Sequence, residues 1–146
     1  MDRKSPWGKE GRDPEKKQEA DRLRYLRNAE SARKKARAYR STVYGRSVEM
    51  WHSHRRTAKK RGLDATLTKE WIEGKLDGVC EATGLGFELT GGRGPKSPSL
   101  DRIDSGKGYT PENTRMVLWA INLACGDWGE SVFLPIANEW IIETYG

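Results

Sequence analysis

The residues best suited to chemistry lie between 99 and 122, in SLDRIDSGKGYTPENTRMVLWAIN. Asp101 stands among apolar neighbours and Arg102 follows it. Asn113 ends a Gly-containing polar loop, and Asn122 ends the apolar run after it. Hydrolysis of a phosphodiester needs a cation to stabilise charge on the phosphate and leaving oxygen, and a base to activate water. Mg²⁺ keeps several of its waters and takes only one or two protein oxygens. One Asp on a strand and one Asn on a facing helix would meet that demand, which makes Asp101 and Asn122 metal-ligand candidates. The same residues also read as turn chemistry, with Asp101 and Asp104 at a strand end and Asn113 as a turn or cap residue. Arg102 cannot be the base, because guanidinium stays protonated in proteins.

Positioning these side chains takes two short strands and a helix. The pattern predicts strands near 99–103 and 114–117, a polar loop over 105–112 between them, and a helix from about 118 through Asn122. Helices surround this unit. Asp13-Pro14 reads as an N-cap followed by Pro at the first helical position. The stretch 14–40 is rich in helix formers. Its apolar stripe (Leu23, Leu26, Ala29, Ala36, Tyr39) is thin, so this helix needs another surface to lie on. A second helix is expected over 47–61, stopped by Gly62 with Lys59, Lys60 and Arg61 in its last turn. A third is expected over 68–77, with Thr68 as N-cap and Trp71, Ile72 and Leu76 facing inward. Gly and Pro density over 79–99 predicts turns and a long loop. A last helix over 129–144 would turn Val132, Ile136, Trp140 and Ile141 inward, with Pro135 early enough to be tolerated.

Bulk properties narrow the class. A chain of 146 residues fits one domain with extensions. Hydrophobic residues (35%) barely outnumber charged ones (33%), which predicts a small core and much solvated chain. The net charge of +6 is unevenly spread: residues 1–61 hold 20 Lys and Arg against 8 Asp and Glu, a net +12, and the remainder is −6. A basic arm on a mildly acidic body suits a polyanion such as DNA; a solubilising charged helix is the plainer alternative. Cys80 and Cys125 form no CxxC pair, so neither a disulfide framework nor a four-Cys zinc site is expected. The absence of long apolar runs and of an apolar leader makes a cytoplasmic chain without a membrane partner the expectation.

Other motifs carry less. GGRGPKS, residues 91–97, resembles a phosphate-cradling loop, but Pro95 separates Gly94 from Lys96 and breaks the pattern. Arg93 or Lys96 could still touch a backbone phosphate. His52 and His54 are two apart on a helix and point about 200° apart, so they cannot jointly chelate one ion; they read as surface residues. RRTAKKRG, residues 55–62, is a dense basic cluster at a helix end, suited to phosphate contact or simply to the helix dipole.

The segment 99–122 resembles the HNH nucleases of the His-Me finger (ββα-metal) superfamily. In that family a strand ends in Asp-His, a loop follows, a structural Asn comes next, and a metal-binding Asn or His lies further on. Asp101, the loop 105–112, Asn113 and Asn122 match those positions. The flanking AKKRGL, LTKEWI, CEATGLGF and NLACGDWGE are similar to small HNH proteins of phages and mobile elements, so the resemblance covers roughly 45–143. It implies an α+β fold with a ββα-metal core, Mg²⁺ or Mn²⁺ without zinc, duplex DNA as partner and a bacterial host cell. Asp101 and Asn122 would hold the metal, Asn113 would hold the loop, and Arg102 would contact phosphate with Asp104 orienting it.

Arg102 departs from the family at the position of the general base. The base is then missing, supplied by His54, His52 or Tyr109, or replaced by hydroxide formed at the metal. The expected organisation is a flexible lead over 1–12, a basic helical arm over 13–44 and a nuclease-like domain over 45–146. DNA contacts are assigned to Arg33, Lys34, Lys35 and Arg37 of the arm, to Arg55, Arg56, Lys59, Lys60 and Arg61, and to Arg93, Lys96 and Lys107. Two rival readings are a DNA-binding protein on a degenerate nuclease core and a protein-binding adaptor. Oligomeric state is not encoded in any of these patterns.

Overall fold

The structure, a computed structural model, describes residues 13–146. The lead expected over 1–12 lies outside them. The chain divides into two compact units, Met1–Lys35 and Ala36–Gly146. The described part of the first is helix α1 (Pro14–Arg40), which continues into the second and buries none of its residues. Asp13 caps it as expected, its carboxylate accepting from the Glu15 N–H at 3.1 Å.

The second unit is α+β. After α1 come α2 (Val43–Arg61), α3 (Lys69–Leu76), β1 (Pro98–Arg102), β2 (Thr114–Leu118), α4 (Trp119–Cys125) and α5 (Glu130–Tyr145). Helix α2 begins four residues before the predicted start because Thr42 caps it. The Thr42 hydroxyl accepts from the Gly45 N–H, whereas the Ser47 hydroxyl donates back to the Tyr44 carbonyl within the helix. The helix stops at Gly62, whose φ of 67° is the left-handed conformation that favours glycine. Thr68 caps α3 through the Trp71 N–H.

β1 and β2 form one antiparallel pair, with Leu100 opposite Met116 and Asp101 opposite Arg115. Met116, Val117 and Leu118 are all buried, which is why β2 lacks polar alternation. Met116 joins Met50, Leu67, Ile72 and Leu76 in one cluster, bordered by Trp71 and Tyr109. Val117 and Leu118 join Cys80 in a second, against Ile121. The Leu118 N–H donates to the Cys80 sulfur at 3.3 Å, pinning the segment before the long loop onto β2. Helix α4 follows β2 directly and packs on both strands.

Helix α5 corrects an expectation. Val132, Ile136, Trp140 and Ile141 do not face a core; all four are exposed, and no residue of α5 is buried. Its packing within the unit is with the short helix α4, and a seven-residue neighbour is too small to cover it. No described helix is long and apolar enough to cross a membrane.

Candidate active site

Asp101 and Arg115 face each other across the hairpin. Asp101 is only 8% exposed. Its Oδ2 accepts from Arg115 Nε at 2.8 Å, while Arg115 Nη1 reaches Glu130 Oε2 of α5 at 2.8 Å. Burial works against the charge on Arg115, but the Asp101 and Glu130 carboxylates outweigh it and raise its pKa. The Asp101 carboxylate is thus held through one oxygen, with Oδ1 outside this pair.

Asn122 is placed by α4 against β1. Its Nδ2 donates to the Leu100 carbonyl at 3.1 Å and to the Ser99 hydroxyl at 2.7 Å. A carbonyl oxygen can only accept, so these bonds fix which end of the amide faces the strand and leave Oδ1 as a free acceptor. Asp101 and Asn122 line the same small depression of about 180 Å³, together with Arg102 and Tyr109.

The loop between the strands is tied by Asn113. Its Oδ1 accepts from the Asp104 N–H at 2.9 Å, and its Nδ2 donates to the carbonyls of Asp104 (3.1 Å) and Gly108 (2.9 Å). Asp104 does not orient Arg102, contrary to expectation. Its Oδ1 accepts from the Gly106 N–H, and its carboxylate pairs with Lys107 at 3.2 Å. The Gly106 bond, then Lys107, hold its pKa below the usual carboxylate range. Arg102 is held instead by backbone: Nη1 donates to the carbonyls of Ser105 (2.7 Å) and Lys107 (3.0 Å). These carbonyls need no carboxylate to draw in a guanidinium that strand β1 already aims over the loop.

Arg102 also lies over the Tyr109 ring, 5.2 Å from its centroid. The His54 ring lies 5.5 Å from that same centroid. Tyr109 is fixed by two backbone bonds to the segment after α2: its N–H donates to Asp64, and its carbonyl accepts from the Thr66 N–H. A side chain on Gly108 would collide with the Asp64 backbone, so the loop can approach this closely only with glycine there.

His54 departs from the surface position read from the sequence; it is only 3% exposed. Its Nδ1 is 3.0 Å from the Met50 carbonyl. That oxygen only accepts, so Nδ1 carries the proton and Nε2 has the lone pair. Nε2 is buried without a partner among the described residues. Burial, against the pull of the Met50 bond and with help from Arg55, pushes the imidazole pKa below 6.5. His54, Tyr109, Leu100 and Asn122 line one groove of about 760 Å³. Arg40, Arg56, Arg93 and His52 line it as well.

No protein-family model and no curated protein matches the chain. Among solved structures it is similar to the rare-cutting HNH restriction endonuclease PacI, with 20% identity, 68% of this chain and 78% of that chain covered, and a TM-score of 0.48. At that identity the likeness carries no residue role across.

The basic residues scatter. Arg33, Lys34 and Lys35 lie on α1 in the first unit, and Arg37 lies on its continuation in the second. Arg56 and Arg93 line the large groove and Arg61 the small one. Arg55 instead covers the Trp51 ring at 4.7 Å, Lys96 pairs with Glu88, and Lys107 pairs with Asp104. Lys59 and Lys60 are exposed in the last turn of α2. The loop 91–97 leads into strand β1, not into a helix, which removes the phosphate-loop reading.

Sequence reading missed Arg46 and Trp119. Arg46 is buried and ties α2 to the loop, donating to the Gly92 carbonyl at 2.9 Å and to Glu49 at 3.1 Å. The Arg46–Glu49 spacing of three was the available signal. Trp119 lines the groove beneath Arg93, 5.6 Å from its guanidinium; no motif marks it.

Proposed function

We propose that this chain is a metal-dependent DNA endonuclease of the HNH type, with His54 as its general base. The observation that carries the reading is the buried lone pair of His54 Nε2 beside a groove that also holds Asn122. A neutral imidazole with its other nitrogen tied to a carbonyl is the form a proton acceptor needs. His54 stands 47 positions before the Asp-Arg pair in the chain, yet both flank Tyr109.

The residues present fit a hard divalent cation. Asp101 and Asn122 line one depression, and each has a side-chain oxygen outside the bonds described above, which would suit Mg²⁺ or Mn²⁺ with water completing the shell. Among the described residues no group of three or more His, Cys, Asp or Glu gathers. A bound cation would stabilise charge on the phosphate and leaving oxygen. As general base, His54 would take the proton of the attacking water at Nε2, which is buried here and has to open to the groove to do so. Arg102, with Nη1 committed to the loop, presents the rest of its guanidinium to a phosphate oxygen as a fixed charge. Asn113 keeps the loop closed so that Arg102 and Tyr109 hold their places. Arg40, Arg56 and Arg93 hold the nucleic-acid backbone along the groove.

A second reading has a specific observation behind it. Arg102 has a structural job in its loop, so a DNA-binding protein that no longer cuts would keep it unchanged. Nicking of supercoiled plasmid with Mg²⁺ or Mn²⁺ separates the two readings. The endonuclease reading expects Asp101→Ala, Asn122→Ala and His54→Ala each to lose at least about a hundredfold in rate while retaining a salt-sensitive DNA shift. If wild type nicks no faster than Asp101→Ala while both bind DNA, the chain binds and does not cut. No DNA shift even at low salt would favour the adaptor.

A further inference from the structure

Helix α5 is an unusual end to a small domain. Placed at about 100° per residue, Ile136, Trp140, Phe133, Ala137, Ile141, Leu134 and Tyr145 share one half of its circumference. Glu130 and Thr144 fall in that same half, while Glu139 and Glu143 project from the other half beside Val132 and Ile142. A helix this apolar normally lies on a core. Here Phe133 and Ala137 are the half-buried positions, while Trp140 is 75% and Tyr145 85% exposed. Leu123 of α4 and Trp128, in the turn before α5, are exposed as well.

We propose that α5 is the dimerisation element of this protein and that its occupant is the α5 of a second copy. Area favours this occupant. The exposed parts of Leu134, Ile136, Trp140, Ile141 and Tyr145 amount to roughly 700 Å² of largely apolar surface, taking about 150–250 Å² for a large side chain. A stable interface needs about 800 Å² per partner, and Leu123 and Trp128 supply the difference. That is larger than the apolar patch of a typical monomer, about 300–600 Å². Charge distribution agrees. α5 has three glutamates and no basic residue. In an antiparallel pairing about a two-fold axis, Glu139 and Glu143 point away from the seam, and Glu130, on the seam side, is ion-paired with Arg115 of its own copy. With no basic residue, α5 offers a nucleic-acid backbone no positive partner.

The interface would adjoin the candidate site. Glu130 opens α5 and is ion-paired with Arg115, which holds Asp101. Two copies joined through α5 therefore carry two sites in a fixed relation. The inference does not depend on either site cutting DNA.

The test is the molecular mass of the full chain by light scattering after gel filtration, without DNA or metal, over a range of concentrations and at low and high salt. Wild type is expected at about twice the mass of one chain at tens of micromolar, with the dimer persisting at high salt. Trp140→Glu and Ile141→Glu should each weaken association by about thirtyfold or more, as loss of a buried anchor does. Both sites are exposed in a single copy, so the far-ultraviolet circular dichroism of the monomer should be unchanged. A wild type at single-chain mass throughout overturns the proposal. So does a dimer that both substitutions leave intact, since its seam would lie elsewhere. Monomeric wild type that co-sediments with phosphatidylcholine vesicles, and loses this with Trp140→Glu, would assign the face to a lipid surface and overturn it too.

Discussion

Asn113 offers the sharpest measurement, because its side chain makes three bonds to three backbone groups of the loop. Asn113→Ala removes all three and strands the Asp104 N–H and the Asp104 and Gly108 carbonyls. Gly108 is buried, so its carbonyl has little water to turn to. At about 1 kcal/mol per lost bond, with a further cost for the buried orphan, the loss comes to about 2–4 kcal/mol. For a chain of this size that lowers Tm by roughly 10 °C. Asn113→Asp is the discriminating partner. It keeps an oxygen for the Asp104 N–H but turns a carboxylate oxygen towards two carbonyls that need a donor. The new carboxyl has a folded pKa raised above about 3.9. Its penalty is therefore small below that pH and grows as pH rises through the raised value. Thermal or urea denaturation should rank Asn113→Asp below Asn113→Ala at neutral pH, with the order narrowing in acid. An Asp variant as stable as wild type at pH 7 would refute the donor role of Nδ2, and with it the account of how the loop is held.

Three further outcomes follow from the same geometry. His54 has a folded pKa below 6.5, so the unfolded chain takes up its proton first as pH falls; stability should decline below about pH 6.5 and level off once the folded imidazole is also protonated. His54→Gln should flatten that limb in a pH series of melting curves, and in the wild type the nicking rate should fall with His54 protonation. Arg115→Met leaves Asp101 mostly buried without its partner and should cost about 1.5–3 kcal/mol in denaturant titration; no measurable loss would mean the ion pair holds nothing. Arg102→His cannot reproduce two bonds to the Ser105 and Lys107 carbonyls, so nicking should not increase. A gain would show that the base is missing from the wild type and that His54 does not supply it.

Some of this was legible in the chain because it depends on near neighbours. The caps at Asp13 and Thr68, the stop at Gly62 and the strand-loop-strand pattern around Asp101 each follow from residues within a few positions. The spacing of Asn113 and Asn122 is also local, since one closes the loop and the other opens onto the strand beside it. His54 was not legible. Its burial depends on Tyr109, fifty-five positions away, which closes over it through the Asp64 and Thr66 bonds. Nor was the role of Asp104: a carboxylate three residues before Lys107 has a partner closer than Arg102. The residues of α5 read as core-facing are exposed, since a run of apolar residues does not say which surface covers it.

The paired bonds between Tyr109 and the Asp64–Thr66 segment have a consequence for how separable this site is. The metal candidates come from the hairpin and α4, while the candidate proton acceptor comes from α2, and this short parallel bridge ties the loop of the hairpin to the segment that follows α2. A peptide carrying only the hairpin and α4 would contain the whole recognisable signature and still lack one wall of its own groove. The signature is therefore not a portable cassette. Grafted onto another scaffold, it would need the segment from His54 to Thr66 to travel with it.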